Sequence, residues 1–160
     1  MNTSQKLYTL FGDPLESAFQ KKYLYVWDVP TKLELGVIPK KIYCHASFAP
    51  VMEMFFKLII ERGLTHEIKT WDGCYNLRPI RGYEKHFDNL YKAGNKQDAM
   101  KYLSCHSWGA AFDINAAWNK LGQPSTLSPE LVQTARDAKL IWGGDFNRKD
   151  AMHFELKLNL

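Results

Sequence analysis

Two short segments of this 160-residue chain constrain its fold most strongly, because together they supply the side chains of one metal centre. The first, LSCHSWGAAFDIN, carries His106 and Asp113, and the second, DAMHFEL, carries Asp150 and His153. Two histidines and one aspartate form a zinc ligand set that leaves one tetrahedral position open for water. Asp150, three residues before His153, is a candidate to accept a proton from that water. The segments therefore predict an open, hydrolytic zinc centre.

The first segment must reverse direction between His106 and Asp113. Seven extended residues would span roughly 23 Å, whereas the ligand atoms of one zinc ion lie within a few ångströms of each other. Gly109 provides a place to turn, since glycine adopts positive φ without steric cost. Residues 111–115 then alternate between small or polar and apolar side chains, which predicts a strand that holds Asp113 on one face.

The second segment has the same alternation. Over residues 152–156, His153 and Glu155 fall on one face of a predicted strand, and the apolar side chains fall on the other. A second strand can therefore deliver the third zinc ligand.

Three motifs in order give the chain a family resemblance. Ser-x-His-x-x-Gly-x-Ala-x-Asp, Trp-Gly-Gly-Asp-Phe and Asp-x-Met-His-Phe-Glu resemble the zinc D-Ala-D-Ala carboxypeptidase family (VanY-like), which includes phage endolysins that act as L-alanyl-D-glutamate peptidases. Upstream, GCYNLRPIRG resembles the Arg-Pro segment of that family. The resemblance covers about residues 48–156.

The resemblance implies a role for each matching residue. The zinc ligands that it implies are His106, Asp113 and His153. It implies Asp150 as the general base and Arg78 as the cation that stabilises the polarised peptide carbonyl. About 25 residues separate the arginine segment from the ligand strand, and this insertion leaves the choice between Arg78 and Arg81 open.

The implied substrate is a peptidoglycan stem peptide. An L-Ala–D-Glu endopeptidase, as in a phage endolysin, and a D,D-carboxypeptidase would share every residue named so far. Ser104, Trp108 and Arg81 are candidates to contact the substrate, although Trp108 is equally suited to buttress the turn.

Two other classes of protein remain open at this point. One is a non-catalytic module that keeps zinc for structure or for binding the cell wall; the presence of Asp150 argues against it. The other is a cysteine peptidase that uses Cys105. Adjacent side chains on an extended segment point in opposite directions, which argues against Cys105 acting beside His106.

The amino-acid composition limits the class and the number of domains. A hydrophobic fraction of 46% and a charged fraction of 24% are ordinary for one globular domain over residues 1–160, with 1–47 as an N-terminal extension packed on it. Three cysteines without CxxC spacing predict free thiols.

The sequence also suggests where the protein is made, where it acts and which partners it has. No apolar run is long enough for a signal peptide or a membrane span, so we expect a phage enzyme that is made in the host cytoplasm and acts on the wall after release. The net charge of +4 suits approach to an anionic wall. Because the basic residues are scattered, we expect no nucleic-acid partner, and we expect a monomer.

The remaining segments predict the fold class. The apolar spacing of 50–63 predicts a helix, 84–102 predicts helix with a break at Gly94-Asn95, and Ser128-Pro129 predicts another helix start. Residues 23–30 and 68–71 are expected to be strands. Together these elements predict an α+β domain with a small, mostly antiparallel sheet flanked by helices, similar to the hedgehog and D-Ala-D-Ala peptidase folds.

Overall fold

Six α-helices and five β-strands build the fold in the computed structural model, which describes all 160 residues. The helices are α1 (Thr3–Phe11), α2 (Ser17–Tyr23), α3 (Ala49–Glu61), α4 (Glu84–Lys92), α5 (Lys96–Ala99) and α6 (Pro129–Asp137). The strands are β1 (Leu24–Asp28), β2 (Lys41–His45), β3 (Ala111–Asp113), β4 (Leu140–Trp142) and β5 (His153–Leu156). None of the helices combines the length and apolar character needed to cross a membrane.

Every strand pairing is antiparallel, and the predicted α+β class is confirmed. The strands form two sheets, where the sequence had indicated one. β1 and β2 form a two-stranded sheet, while the other three strands pair in the order β3-β5-β4. The strand that carries His153 therefore lies in the centre of the three-stranded sheet, between two neighbours that hold it in place.

Helix α3 packs against one face of the three-stranded sheet. Its Phe55 lies 5.6 Å from the ring of Phe112 and 6.0 Å from that of Phe154, and the two sheet phenylalanines stack 5.4 Å apart. All three rings are fully buried, and each contributes about 1.5–3 kcal/mol by leaving water. Because side chains alternate along a strand, this packing turns the neighbouring Asp113 and His153 to the opposite face of the sheet.

Several predicted elements are confirmed. α3 has a proline in its first turn and ends before Gly63, whose φ is 69°. Ser128 caps α6, since its Oγ accepts a hydrogen bond from Leu131 N at 3.1 Å. The helical prediction for 84–102 is confirmed as α4 and α5, with the break at Gly94-Asn95.

The predicted strand over 68–71 is wrong. Only Trp71 pairs, through an isolated bridge to Ile114. The side-chain oxygen of Asn115 accepts hydrogen bonds from Lys69 N at 2.8 Å and Thr70 N at 3.2 Å. This side chain takes the place of a strand ladder, so the segment runs beside β3 without joining the sheet.

The N-terminal helix packs against the segment that leads to His106. α1 begins with a capping box in which Asn2 and Gln5 satisfy each other's backbone N–H groups. In its first turn, the buried Ser4 hydroxyl donates to Leu103 O at 2.6 Å. The start of the chain is thereby fixed next to the predicted site.

Candidate active site

His106 lies on a short 3-10 turn, Cys105–Trp108, that follows Ser104. The Ser104 Oγ accepts a hydrogen bond from His106 N at 3.3 Å and so caps the turn. Gly109 ends it in the left-handed region, with φ 65°. A Cβ at this position would lie 2.7 Å from His45 N, so both the conformation and the space require glycine. The reversal predicted between His106 and Asp113 occurs at this residue.

Strand register brings Asp113 and His153 together. The two residues are directly paired across β3 and β5, and directly opposed side chains on one face lie about 5 Å apart at Cβ. His106 reaches the same point from the turn before β3. Its Nε2 lies 3.2 Å from Asp113 Oδ1, and His153 Nδ1 lies 3.3 Å from the same oxygen.

These three side chains form the one group of histidine, cysteine and acidic residues in the chain that could hold a metal ion, and their ligand atoms all lie within 4.8 Å of one another. Two ligand atoms on a tetrahedral zinc ion, with bonds of about 2.0–2.1 Å, are about 3.3 Å apart. The two distances to the aspartate oxygen match this value.

Both imidazole rings are oriented by their other nitrogen atom. His106 Nδ1 donates to Cys74 O at 2.6 Å, and His153 Nε2 donates to Glu155 Oε1 at 2.8 Å. When both rings are neutral, His106 Nε2 and His153 Nδ1 therefore face Asp113 with lone pairs. Three electron-rich atoms directed at one point need a proton or a cation between them. In metal sites, the second nitrogen of a ligating histidine usually donates to a carbonyl or carboxylate oxygen, as both rings do here. The residues therefore fit a zinc ion.

The pKa shifts of His153 and Asp113 are consistent with a site for a cation. Burial alone would lower the pKa of His153, but hydrogen bonds to Asp113 and Glu155 outweigh it and raise the pKa to about 10. Burial would raise the pKa of Asp113, yet hydrogen bonds from His106 and His153 hold it well below its usual range. The negative charges of Asp113 and Glu155 that raise the pKa of His153 also favour a bound cation at this point.

Asp150 lies beside this cluster on the wall of the same cleft. Its backbone is fixed by Gly143, whose carbonyl accepts from Asp150 N at 2.9 Å. A Cβ on Gly143 would collide with Asp150 O and approach His153 Cβ to 3.1 Å, so the first glycine of the Trp-Gly-Gly-Asp motif permits this approach. Asp150 makes no side-chain hydrogen bond, which leaves its carboxylate free to accept a proton.

Arg78 faces the same cleft. Its guanidinium makes a single hydrogen bond, from Nη1 to Pro79 O at 3.3 Å, and its buried Nε has no partner. Burial and then the charge of Arg81 lower the pKa of Arg78, while Asp113 and Asp150 oppose this. The half-buried Arg78 thus has unused donors near Asp150, whereas Arg81 is exposed at the rim.

A cleft of about 510 Å³ contains these groups, and it has two further walls. One is the first turn of α1, including Thr3, Ser4 and Lys6. The other includes Tyr83 and Arg148. Neither wall was anticipated, since no motif pointed to residues 1–6 or to Arg148. The capping pattern Asn-x-x-Gln was the available signal for a helix at the N-terminus.

The candidate substrate residues differ in position. Ser104 and Arg81 line the cleft. Trp108 does not: it is fully buried, and its Nε1 donates to Gly12 O at 3.0 Å. The expectation that Trp108 contacts substrate is therefore wrong, and its ring holds the turn against the N-terminal segment.

Cys105 also lines the cleft, on a 3-10 turn and not on the extended segment that the sequence suggested. Its Sγ lies 3.3 Å from Ser4 Oγ, and burial raises the pKa of the thiol well above its usual range. A nucleophilic cysteine needs a lowered pKa, so this environment opposes that role. All three cysteines are free thiols, as predicted.

Comparison with known proteins finds a peptidase family that matches the C-terminal part of the chain. The model of the D-alanyl-D-alanine carboxypeptidase family matches residues 97–156. The match covers 60 of the 160 residues, and it agrees with the resemblance predicted from the motifs. The match contains His106, Asp113, Asp150 and His153, while Arg78 lies outside it.

One solved structure that is similar to the chain is that of the Serratia marcescens L-Ala D-Glu endopeptidase ChiX. The two share 16% identity, with 82% of this chain and 89% of that chain covered and a TM-score of 0.38. A likeness this distant assigns no activity to the present chain. No curated protein sequence matches it significantly.

Proposed function

We propose that the protein is a zinc-dependent peptidoglycan peptidase that hydrolyses a stem-peptide bond, with the L-Ala–D-Glu bond as the first candidate. One observation carries the proposal: three ligand atoms from His106, Asp113 and His153 lie within 4.8 Å of one another, beside the unpaired carboxylate of Asp150. A closed structural zinc site has four protein ligands, whereas a hydrolytic site has three and a nearby base. The family match over residues 97–156 supports peptide hydrolysis.

The chain's own residues divide the chemistry between them. When bound, zinc would polarise the scissile carbonyl and lower the pKa of a water molecule towards neutrality. Asp150 accepts the proton of the attacking water and returns it to the departing amine nitrogen. Arg78 directs its unused N–H groups at the carbonyl oxygen as negative charge develops there, and such preorganised donors are often the largest contribution to rate.

We further propose that the protein acts as a bacteriophage endolysin, as a monomer, with the cell wall as its macromolecular partner and with no nucleic-acid or membrane partner. The resemblance to phage enzymes and the net charge of +4 support this setting. A D,D-carboxypeptidase remains the second candidate, because the family that matches residues 97–156 is the D-alanyl-D-alanine carboxypeptidase family.

The test is digestion of purified peptidoglycan with untreated, chelated and zinc-restored protein, followed by mass spectrometry of the products. We expect new D-Glu amino termini, loss of activity on chelation and recovery with zinc. Release of terminal D-Ala would identify the carboxypeptidase instead. Zinc binding without any cleavage would leave a non-catalytic wall-binding module, and cleavage that resists chelators but stops on thiol alkylation would indicate a cysteine peptidase.

A further inference from the structure

The cleft carries more positive charge than the proposed chemistry uses. Four cationic side chains line it: Lys6, Arg78, Arg81 and Arg148. None of them forms a salt bridge. Of the three lining carboxylates, Asp113 and Glu155 contact the histidines and Asp150 is the proposed base. With Arg78 assigned to the carbonyl oxygen, three cations remain without a partner.

Two of these cations are close in sequence to the reacting groups and line the same cleft. Arg81 follows Arg78 by three residues, and Arg148 precedes Asp150 by two. Both are exposed, and the cleft that they line also contains Arg78 and Asp150. Lys6 adds its charge from the first turn of α1.

Arg148 is held over an aromatic surface. Its guanidinium carbon lies 5.4 Å from the ring centroid of Tyr83, and Tyr83 in turn stacks on Tyr102 at 5.4 Å. A cation–π contact attracts a guanidinium to the ring without using its N–H groups. Arg148 makes no hydrogen bond to another residue through its side chain, so its planar fork is open to bidentate contact with a carboxylate.

We propose that Arg148 and Arg81 form a carboxylate subsite. This subsite binds a free carboxylate on the residue next to the scissile bond. The inference rests on the proposed function and adds a substrate preference to it. In a stem peptide, the glutamyl residue continues through its side-chain carboxyl group, which leaves its α-carboxylate, free or amidated, beside the L-Ala–D-Glu bond. The subsite therefore distinguishes a free glutamyl residue from its amidated form.

Two synthetic stem peptides that differ only in this group, carboxylate against carboxamide, test the preference. We expect wild-type kcat/KM to be roughly 10- to 100-fold higher for the free acid, the effect of a charged hydrogen-bonded pair. Arg81→Gln/Arg148→Gln should lower the value for the acid much more than the value for the amide, and so remove most of the preference. The control Lys32→Gln/Lys40→Gln removes the same net charge from exposed positions outside the cleft and should keep the preference.

A binding measurement separates the subsite from the hydrolysis. Zinc-loaded Asp150→Asn is titrated calorimetrically with the two peptides, with and without the two arginine substitutions. Tighter binding of the acid that disappears with the arginines supports the subsite, even if the wild type cleaves neither peptide and the proposed function fails. Equal affinities for acid and amide in Asp150→Asn would overturn the subsite, whether or not the wild type is active.

Discussion

His153 Nε2 donates a hydrogen bond of 2.8 Å to the buried carboxylate of Glu155, two residues further along β5. The bond fixes the tautomer of His153, so that Nδ1 is the nitrogen that faces Asp113. Glu155 remains ionised, since the hydrogen bond and charge of His153 lower its pKa against the effect of burial. This pairing gives Glu155 a positioning role, and it leaves Asp150 as the carboxylate available for proton transfer.

The first prediction concerns that pairing. Glu155→Gln keeps a hydrogen-bond acceptor but removes the charge that strengthens His153 as a ligand, so zinc affinity should fall roughly 10- to 100-fold. Competition with a chelating dye measures the affinity directly. Glu53→Gln, on the exposed side of α3, is the matched control and should bind zinc like the wild type. Equal affinity in both variants would contradict the positioning role.

The second prediction concerns His106. His106→Ala should lose zinc and unfold at a lower temperature than the wild type in excess zinc, because binding to the native state alone stabilises it. With free zinc about 1,000-fold above Kd, the difference is about 4 kcal/mol, or on the order of 10 °C. The exposed His66→Ala serves as control. Full zinc occupancy of His106→Ala by elemental analysis would remove this residue from the ligand set.

Local patterns made much of the candidate metal centre predictable. The alternation in 111–115 and 152–156 defines two strands, and each places its ligand on the face opposite a phenylalanine. The register that pairs Asp113 with His153 is a long-range property. No local pattern determines this register. It could be inferred only from the requirement that the ligands of one metal ion lie close together.

The elements that the sequence did not predict correctly have weaker sequence patterns. β4 has only three residues, Leu140–Trp142, and a short apolar run of this kind fits several structures. Residues 68–71 include the apolar and β-branched side chains that are typical of a strand. However, the side chain of Asn115, distant in sequence, accepts hydrogen bonds from the backbone of this segment. The cleft walls from α1 and Arg148 arise from tertiary packing, which sequence periodicity does not encode.

The third prediction separates catalysis from metal binding. Asp150→Asn should reduce hydrolysis at least about 100-fold, the usual contribution of a general base, with zinc content unchanged because Asp150 is outside the ligand set. Product release from peptidoglycan and elemental analysis on the same sample test both halves. Asp28→Asn, at an exposed ion pair with Lys41, should leave both unchanged. Loss of zinc in Asp150→Asn would show that this residue is a ligand.

The fourth prediction is a pH dependence of stability. Burial lowers the pKa of His45 to about 4, and the surrounding rings of Phe11, Phe19 and Tyr23 carry no charge near neutral pH. The unfolded chain takes up this proton at about pH 6.5, so the stability that neutral His45 contributes is present above pH 6.5 and is lost as pH falls towards 4.

A variant without this titration should lose less stability in acid. Between pH 7 and pH 4, the free energy of unfolding of His45→Phe should fall by about 2–3 kcal/mol less than that of the wild type. Urea unfolding at a series of pH values, in the presence of a chelator for both proteins, measures the difference. Parallel curves would show that His45 does not resist protonation in the folded state.

The last prediction is that Arg78, and not Arg81, stabilises the transition state. Arg78 is half-buried, has an unpartnered Nε and is close enough to Asp113 and Asp150 for their charges to affect its pKa, while Arg81 is exposed. Arg78→Lys keeps the charge but loses the planar fork, so kcat should fall by about 10²–10³ with zinc retained. Arg81→Lys keeps the charge of the carboxylate subsite and should be mild. A large kcat defect confined to Arg81→Lys would assign the transition-state role to the exposed arginine.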